Sequence, residues 1–281
     1  MLLDQCIRYV RTRALLLAAL CGVLVLSAPI ASASAARTPT GSGGDKPTIV
    51  LVHGAWADGS SWSDVVRRLQ RDGYPVRVPP NPLRSLPGDT ATVVNFLSTI
   101  SGPVVLVGHS YGGAVITNAA AGQSQVKALV YVNAFVPDEG ELVAPLAGPD
   151  SALAADPTTV FDFVPYPAAP AGDVDLYLKR SVFLTSFAIG VPARVAAVLY
   201  ATQRPITLSA LNQPSGAPAW KTIPSWYLVG TQDRIIPPTQ QRFMAQRAGA
   251  RTVEIDAGHL SPITHSRAVE RLILDAVRAT R

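Results

Sequence analysis

The chain has 281 residues, of which 48% are hydrophobic and 15% are charged, and this composition excludes a disordered chain. The length suits one or two domains with a sizeable core. A formal net charge of +5 is mild, and the basic residues are scattered, which argues against a nucleic-acid partner.

The first 35 residues have the pattern of a secretory signal. Three arginines precede an apolar segment at 14–26, and Ala-Ser-Ala follows at 31–33 and again at 33–35. The apolar segment is short for a membrane span, which favours cleavage over retention as an anchor. We predict cleavage after residue 33 or 35 and a secreted or periplasmic mature protein without a stable membrane anchor.

Cleavage changes the chemistry of the chain. It removes Cys6 and Cys21, so the mature protein has no disulfide and no thiol chemistry. It also removes three arginines and one aspartate, and the net charge falls from +5 to +3. Residues 36–47, rich in Gly, Ser and Thr, are predicted to form a flexible leader.

From residue 48, short β-branched runs alternate with helical patterns. The predicted strands lie at 48–53, 75–78, 103–107, 127–133, 223–230 and 251–256. Helical patterns lie between most of them, with apolar residues on one face at 61–71, 88–100 and 266–280. Apolar strands separated by helices indicate a parallel sheet covered on both faces. The prediction is a doubly wound α/β domain over 48–281 with a mostly parallel six-stranded sheet.

Residues 137–222 interrupt this alternation. The segment is rich in proline and alanine and carries seven Phe and Tyr residues. A stretch of this length is too long for a structureless loop in a compact domain. We predict a largely helical cap insertion over the sheet, with helices at about 173–187 and 191–203.

The segment "GHSYG" after the third strand matches G-x-S-x-G, with Ser110 at the centre and Gly108 and Gly112 around it. A sharp turn from strand to helix needs small neighbours and projects the serine hydroxyl into the cleft. The pattern alone also fits an ordinary glycine-rich turn. Its position between a buried strand and a helical pattern favours a nucleophile.

A serine nucleophile needs a base and an orienting acid. Of the four histidines, His259 lies on a loop after the last strand and is the predicted base. Asp233, just past the fifth strand, is the predicted acid, and it gives the chain order Ser, Asp, His of this architecture. Asp138, past the fourth strand, is the competing acid, and Asp256 is a weaker alternative.

The loop after the first strand, "HGAW", has small residues that let N–H groups approach the site. The N–H groups of Ala55 and Tyr111 are the predicted oxyanion hole for the tetrahedral intermediate. Trp56 in this loop and two aromatic residues of the insertion, Phe183 and Phe187, are the candidates for the substrate pocket.

Five segments together resemble the α/β-hydrolase superfamily, in order over residues 48–281. They are "VLVHGAW", "VVLVGHSYGG", "YVNAFVPDEGE", "VGTQDRIIPP" and "GHLSP". The chain is most similar to bacterial esterases and to the plant hydroxynitrile lyase and methylesterase group. The resemblance implies a hydrolase that needs no cofactor, with Ser110, Asp233 and His259 as its triad. It places the oxyanion hole at Ala55 and Tyr111.

One departure from that group concerns the reaction. Its cyanohydrin lyases carry a lysine directly after the catalytic histidine, whereas this chain has Leu260. The expectation is therefore hydrolysis of small to medium apolar esters through an acyl-enzyme, without a cofactor or metal. The alternatives are a cofactor-free lyase or perhydrolase and a non-catalytic ligand-binding protein on a hydrolase scaffold. The oligomeric state stays open.

Overall fold

Two sheets organise residues 46–280, the part of the chain that the computed structural model describes. The predicted signal at 1–35, and the predicted leader up to residue 45, lie outside the described residues. The strands are β1 (Thr48–Val52), β2 (Val76–Arg77), β3 (Val104–His109), β4 (Val126–Val132), β5 (Phe161–Val164), β6 (Asp175–Leu178), β7 (Ile206–Thr207), β8 (Ser225–Gly230) and β9 (Arg251–Ile255).

The larger sheet has six strands in the order β2-β1-β3-β4-β8-β9, and all its pairs are parallel. This confirms the six-stranded doubly wound sheet predicted from the sequence. The register brings the carboxyl ends of the central strands together, since Val52 lies opposite Gly108 and Val132 lies opposite both His109 and Leu228. Residues that follow β1, β3, β4 and β8 therefore meet at one edge, where doubly wound sheets bind ligands.

Helices cover both faces of this sheet. They are α1 (Ser63–Arg71), α2 (Leu86–Leu97), α3 (Tyr111–Ala119), α4 (Val143–Leu146), α5 (Pro157–Val160), α6 (Arg180–Val182), α7 (Ala193–Ala201), α8 (Leu208–Asn212), α9 (Pro238–Arg247), α10 (Ser261–Thr264) and α11 (Ser266–Ala279). The apolar faces of α1 and α11 pack with Ile49 and Leu51 of β1 on one side. Helices α2, α3 and α9 and the insertion pack with Val50 and Val52 on the other. This alternation along β1 is that of a strand buried on both faces.

The insertion between β4 and β8 combines helices with a second sheet. Helix α7 lies inside the helix predicted at 191–203. The prediction of one helix over 173–187 is wrong for its first part, because Asp175–Leu178 is strand β6 in an antiparallel sheet of order β5-β6-β7. The segment continues as α6 and one turn of π-helix at Phe183–Phe187. Pairing with β5 and β7 buries Leu176 and Leu178 and overrides the helical period.

Within residues 46–280, no helix combines the length and the apolar character that a membrane span requires.

Candidate active site

Ser110 occupies the sharp turn between β3 and α3. Its backbone has φ 55° and ψ −127°, a conformation that costs free energy in a residue other than glycine. The neighbouring glycines have a steric cause. A Cβ at Gly108 would lie 2.6 Å from the carbonyl oxygen of Gly112, and a Cβ at Gly112 would lie 2.5 Å from the carbonyl oxygen of Val52. The turn that projects Ser110 into the cleft is therefore possible only with glycine at both positions.

The structure brings Ser110, His259 and Asp233 into one hydrogen-bonded row. His259 Nε2 lies 2.9 Å from Ser110 Oγ, and His259 Nδ1 lies 2.8 Å from Asp233 Oδ2. Asp233 follows β8, and His259 follows β9. With the Nδ1 proton donated to the carboxylate, Nε2 can accept the proton of the serine hydroxyl. All three side chains are buried, so the row is shielded from bulk water.

Five donors hold the carboxylate of Asp233 in place. Oδ1 accepts the main-chain N–H groups of residues 235 and 236 at 2.8 and 3.0 Å. Oδ2 accepts from His259, from Gln241 Nε2 at 2.9 Å and from Asn133 Nδ2 at 3.1 Å. These hydrogen bonds fix the orientation of the carboxylate toward the imidazole.

Sequence reasoning missed Asn133 and Gln241. Asn133 directly follows β4, so the rule that singled out Ser110 and Asp233 at the carboxyl ends of strands could have found it. Its φ of 44° is unusual for most residues but is tolerated by asparagine. Gln241 lies within α9, and no local pattern sets it apart from the other glutamines of that helix.

The competing acids lie away from the imidazole. Asp138 forms an ion pair with Lys221 at 2.6 Å on the surface, and the hydrogen bond from Lys221 lowers the pKa of its carboxyl. Asp256 is exposed to solvent. Of the candidate acids, the structure places only Asp233 against His259.

The other three histidines have different surroundings. The ring of His53 bonds the carbonyl oxygen of Gly54 at 2.9 Å and the N–H of Asn81 at 3.2 Å. His109 Nε2 lies 2.9 Å from the carbonyl oxygen of His259, and burial lowers the pKa of His109 well below its usual value. His265 is exposed at the start of α11. His53 and His109 thus support the loops of the site rather than face its cleft.

The predicted oxyanion donors lie beside the serine. Ala55 and Tyr111 line the same cavity as Ser110, and within residues 46–280 neither main-chain N–H has a hydrogen-bond acceptor. Tyr111 is also the first residue of α3, where the helix dipole favours negative charge. Its hydroxyl donates to Asp89 Oδ2 at 2.8 Å. Burial raises the pKa of that carboxyl.

An apolar cavity of about 190 Å³ opens above Ser110. Its wall includes Trp56 and large apolar residues of the insertion, among them Leu153, Phe161, Phe163, Leu176, Leu208 and Leu211. None of the described side chains that line it carries a charge. The cavity therefore suits an uncharged, apolar group of a small molecule.

The assignment of Phe183 and Phe187 to this pocket is corrected. Neither lines the cavity, and both are buried. The ring of Phe183 packs between those of Phe187 and Tyr200, with centroids 4.9 and 5.6 Å away. Phe187 packs on the imidazole of His259, with centroids 5.2 Å apart. The sequence identified them as aromatic, but both rings are buried away from the cavity lining.

Residues 46–280 contain no cluster of three or more His, Cys, Asp and Glu side chains that could hold a metal ion. The chemistry that the arrangement offers is proton transfer and nucleophilic attack by its own side chains.

Three known proteins show what this chain is similar to. A "Carbendazim hydrolyzing esterase" from Nocardioides sp. (strain SG-4G) is 36% identical over 105 residues, which are 33% of this chain and 43% of that protein. A "Pyrethroid hydrolase" from Sphingobium wenxiniae is 27% identical over 213 residues, 70% of this chain and 74% of that protein. The solved structure of polyneuridine aldehyde esterase, at 18% identity, superposes with a TM-score of 0.70 over 82% of this chain and 98% of the other, and so shares the fold.

A family model also covers most of the chain. The model described as "Alpha/beta hydrolase family" matches residues 49–272, which contain most of β1, the serine turn, the insertion and the loops of Asp233 and His259. This match confirms the resemblance inferred from the motifs. The chain belongs to the alpha/beta hydrolase family.

Proposed function

We propose that this chain is an exported serine esterase that hydrolyses small to medium, uncharged, apolar carboxylic esters through an acyl-enzyme on Ser110. The observation that carries the proposal is the hydrogen-bonded row Ser110–His259–Asp233, which opens into a cavity whose described lining is uncharged. The names of the two relatives, an esterase and a hydrolase, support ester cleavage.

Acylation follows from the geometry of the row. Ser110 Oγ attacks the ester carbonyl carbon while His259 Nε2 takes the hydroxyl proton across their 2.9 Å contact. The carbonyl oxygen becomes an oxyanion, and the N–H groups of Ala55 and Tyr111 donate hydrogen bonds to it. The Asp233 carboxylate stabilises the imidazolium that forms. His259 then returns the proton to the departing alkoxide, which leaves as the alcohol.

Deacylation reverses these roles. A water molecule loses a proton to His259 Nε2 and attacks the acyl carbon, and the second tetrahedral intermediate uses the same two N–H groups. Its collapse breaks the bond between the acyl carbon and Ser110 Oγ, and His259 protonates that oxygen. The products are the carboxylic acid and the free serine.

The surroundings of His259 support hydrolysis over cyanohydrin cleavage. The next residue is Leu260, which is buried and apolar. A departing cyanide needs a nearby cation, and the described side chains that line the cavity include none. An ester needs no such group, because its alkoxide leaves with the proton from His259.

The sequence of the first 35 residues supports export. Its basic start, apolar segment and small residues match a cleaved signal, and the loss of both cysteines leaves a mature chain that oxidising surroundings cannot cross-link.

Hydrolysis of p-nitrophenyl esters tests the proposal. Acetate through decanoate esters give the chain-length profile, and the hemisuccinate ester tests exclusion of a charged acyl group. We expect turnover of neutral esters by the wild type, poor turnover of the hemisuccinate, and none above background with Ser110→Ala. Equal turnover by Ser110→Ala, or no turnover of any ester by the wild type, would refute the proposal.

A further inference from the structure

Trp56 follows the oxyanion-hole residue Ala55 and is attached to the insertion through two hydrogen bonds. Its main-chain N–H donates to the carbonyl oxygen of Arg204 at 2.9 Å, and its indole Nε1–H donates to the carbonyl oxygen of Leu176 at 2.9 Å. Leu176 lies in β6, and Arg204 lies between α7 and β7. The loop that carries Ala55 is therefore tied to the insertion at the residue next to the expected donor.

The ring of Trp56 is enclosed by aromatic side chains of the same insertion. It stacks on Phe161, with centroids 5.9 Å apart, and meets the edge of Phe187 at 5.8 Å. Phe187 in turn packs on the imidazole of His259. Only 3% of the Trp56 surface is exposed. Through these ring contacts, Trp56 connects the oxyanion loop to the insertion and, by way of Phe187, to the catalytic imidazole.

The backbone of Trp56 needs this support. Its φ is +56°, in the left-handed region that bulky side chains rarely adopt. Such a conformation persists where surrounding contacts hold it in place. Relaxation of Trp56 would rotate the peptide chain next to Ala55 and move its N–H away from the position of the oxyanion.

We propose that Trp56 is a positioning residue that couples the insertion to the oxyanion hole, through its indole hydrogen bond to Leu176. The small sheet β5-β6-β7 then does more than cover the cavity, because it completes the geometry that stabilises the tetrahedral intermediate. This inference rests on the proposed esterase function. A misplaced donor weakens binding of the transition state more than binding of the substrate.

The variant Trp56→Phe keeps an aromatic ring and removes the indole N–H. Trp220→Phe is the matched control, because Trp220 Nε1–H donates to the carbonyl oxygen of Pro137 at the same 2.9 Å, away from the cavity. We expect Trp56→Phe to lower kcat by about 10- to 100-fold with little change in KM. We expect Trp220→Phe to leave both constants within about twofold of wild type, since it touches none of the reacting groups.

Inhibitor binding separates positioning from a general structural effect. An alkyl trifluoromethyl ketone forms a tetrahedral adduct with the serine and places its oxyanion in the hole, whereas the matching trifluoromethyl carbinol cannot form the adduct. We expect Trp56→Phe to weaken the ketone by the same factor as kcat and to leave the affinity for the carbinol unchanged.

An isosteric replacement separates the loss of the indole N–H from a change in packing or folding. 3-Benzothienylalanine at position 56 keeps the shape of the indole and replaces its N–H with sulfur, and we expect it to reproduce the loss seen with Trp56→Phe. Wild-type kcat and ketone affinity in either folded variant would overturn this inference alone. Absence of ester turnover in the wild type would overturn the proposed function and this inference with it.

Discussion

Asp233 illustrates how much of the site depends on residues that never touch a substrate. A carboxylate with five donors cannot rotate away from His259 Nδ1, so the imidazole is kept in the tautomer whose Nε2 accepts a proton. Asn133 and Gln241 both donate to this carboxylate, and neither lines the cavity. The position of the acid is therefore shared between the loop after β8, the end of β4 and helix α9.

Replacement of the acid gives the first prediction. We expect Asp233→Asn to lower kcat by about 10³- to 10⁴-fold with little change in KM, because the imidazole loses its tautomer and its charge support. Asp138→Asn removes the charge that pairs with Lys221, away from His259, and is the control, with activity near that of wild type. Steady-state kinetics on both variants decide the matter, and the opposite ranking would move the acid to the loop after β4.

Buried histidines give a prediction about pH. Burial lowers the pKa of His109 well below its usual value of 6.5, and burial also lowers the pKa of His53. As the pH falls below about 6.5, the unfolded chain takes up protons at these positions and the folded protein does not. The unfolded state then gains stability. The free energy of unfolding should decrease, by up to about 1.4 kcal/mol per pH unit for each histidine.

Urea unfolding between pH 7.5 and pH 5.5 measures this slope. His109→Gln retains a donor for the carbonyl oxygen of His259 and removes the titrating ring, so we expect a shallower decrease than in wild type. His265→Gln is the control because His265 is exposed. The comparison cancels the contribution of the carboxyl groups, which all three proteins share. Identical slopes in the three proteins would contradict this explanation.

At the scale of elements, the insertion divides its aromatic residues between two roles. Phe163 is 44% exposed and lines the cavity, whereas Phe183 is fully buried against Phe187 and Tyr200. We expect Phe163→Ala to shift the preferred ester toward longer chains with little change in Tm. We expect Phe183→Ala to lower the free energy of unfolding by about 3–5 kcal/mol without changing the profile.

Chain-length profiles and melting temperatures, measured on the same preparations, separate the two roles. Val198→Ala is the control, because Val198 is 61% exposed on α7 and does not line the cavity. A changed profile with Phe183→Ala and an unchanged one with Phe163→Ala would reverse the assignment of the two rings.

The same insertion marks the limit of what the sequence predicts. The strands of the large sheet lie in short β-branched runs whose type follows from local pattern, so all six were predicted. Strand β6 is different, because "DLYL" fits a helical face as well as a strand, and only pairing with β5 and β7 decides between them. The pocket assignment of Phe183 and Phe187 failed because both rings are buried away from the cavity lining.

The candidate site was more predictable than the insertion. Ser110, Asp233 and His259 each directly follow or closely follow a strand of the large sheet, so the topology alone brings them to one edge. The hydrogen bonds from Gln241 and from the main chain around residue 235 depend on side-chain rotamers and loop geometry. Local sequence carries no signal for these.

At the level of the whole molecule, the proposed export implies that the working enzyme is shorter than the full sequence. The small residues at positions 31, 33 and 35 motivate a prediction of cleavage after residue 33 or 35. Intact-mass measurement of exported protein should show a mature chain without cysteine, because Cys6 and Cys21 both precede these sites. A mature N-terminus that retains Cys21 would contradict the prediction.

Covalent labelling is a direct test of Ser110 as the nucleophile. A fluorophosphonate reacts with a serine that has an activated hydroxyl and a functional oxyanion hole. Intact-mass measurement followed by peptide mapping should show one adduct per chain, located on Ser110, with loss of ester hydrolysis in proportion to labelling and no adduct on Ser110→Ala. An adduct on another residue, or full labelling of Ser110→Ala, would show that Ser110 is not the nucleophile.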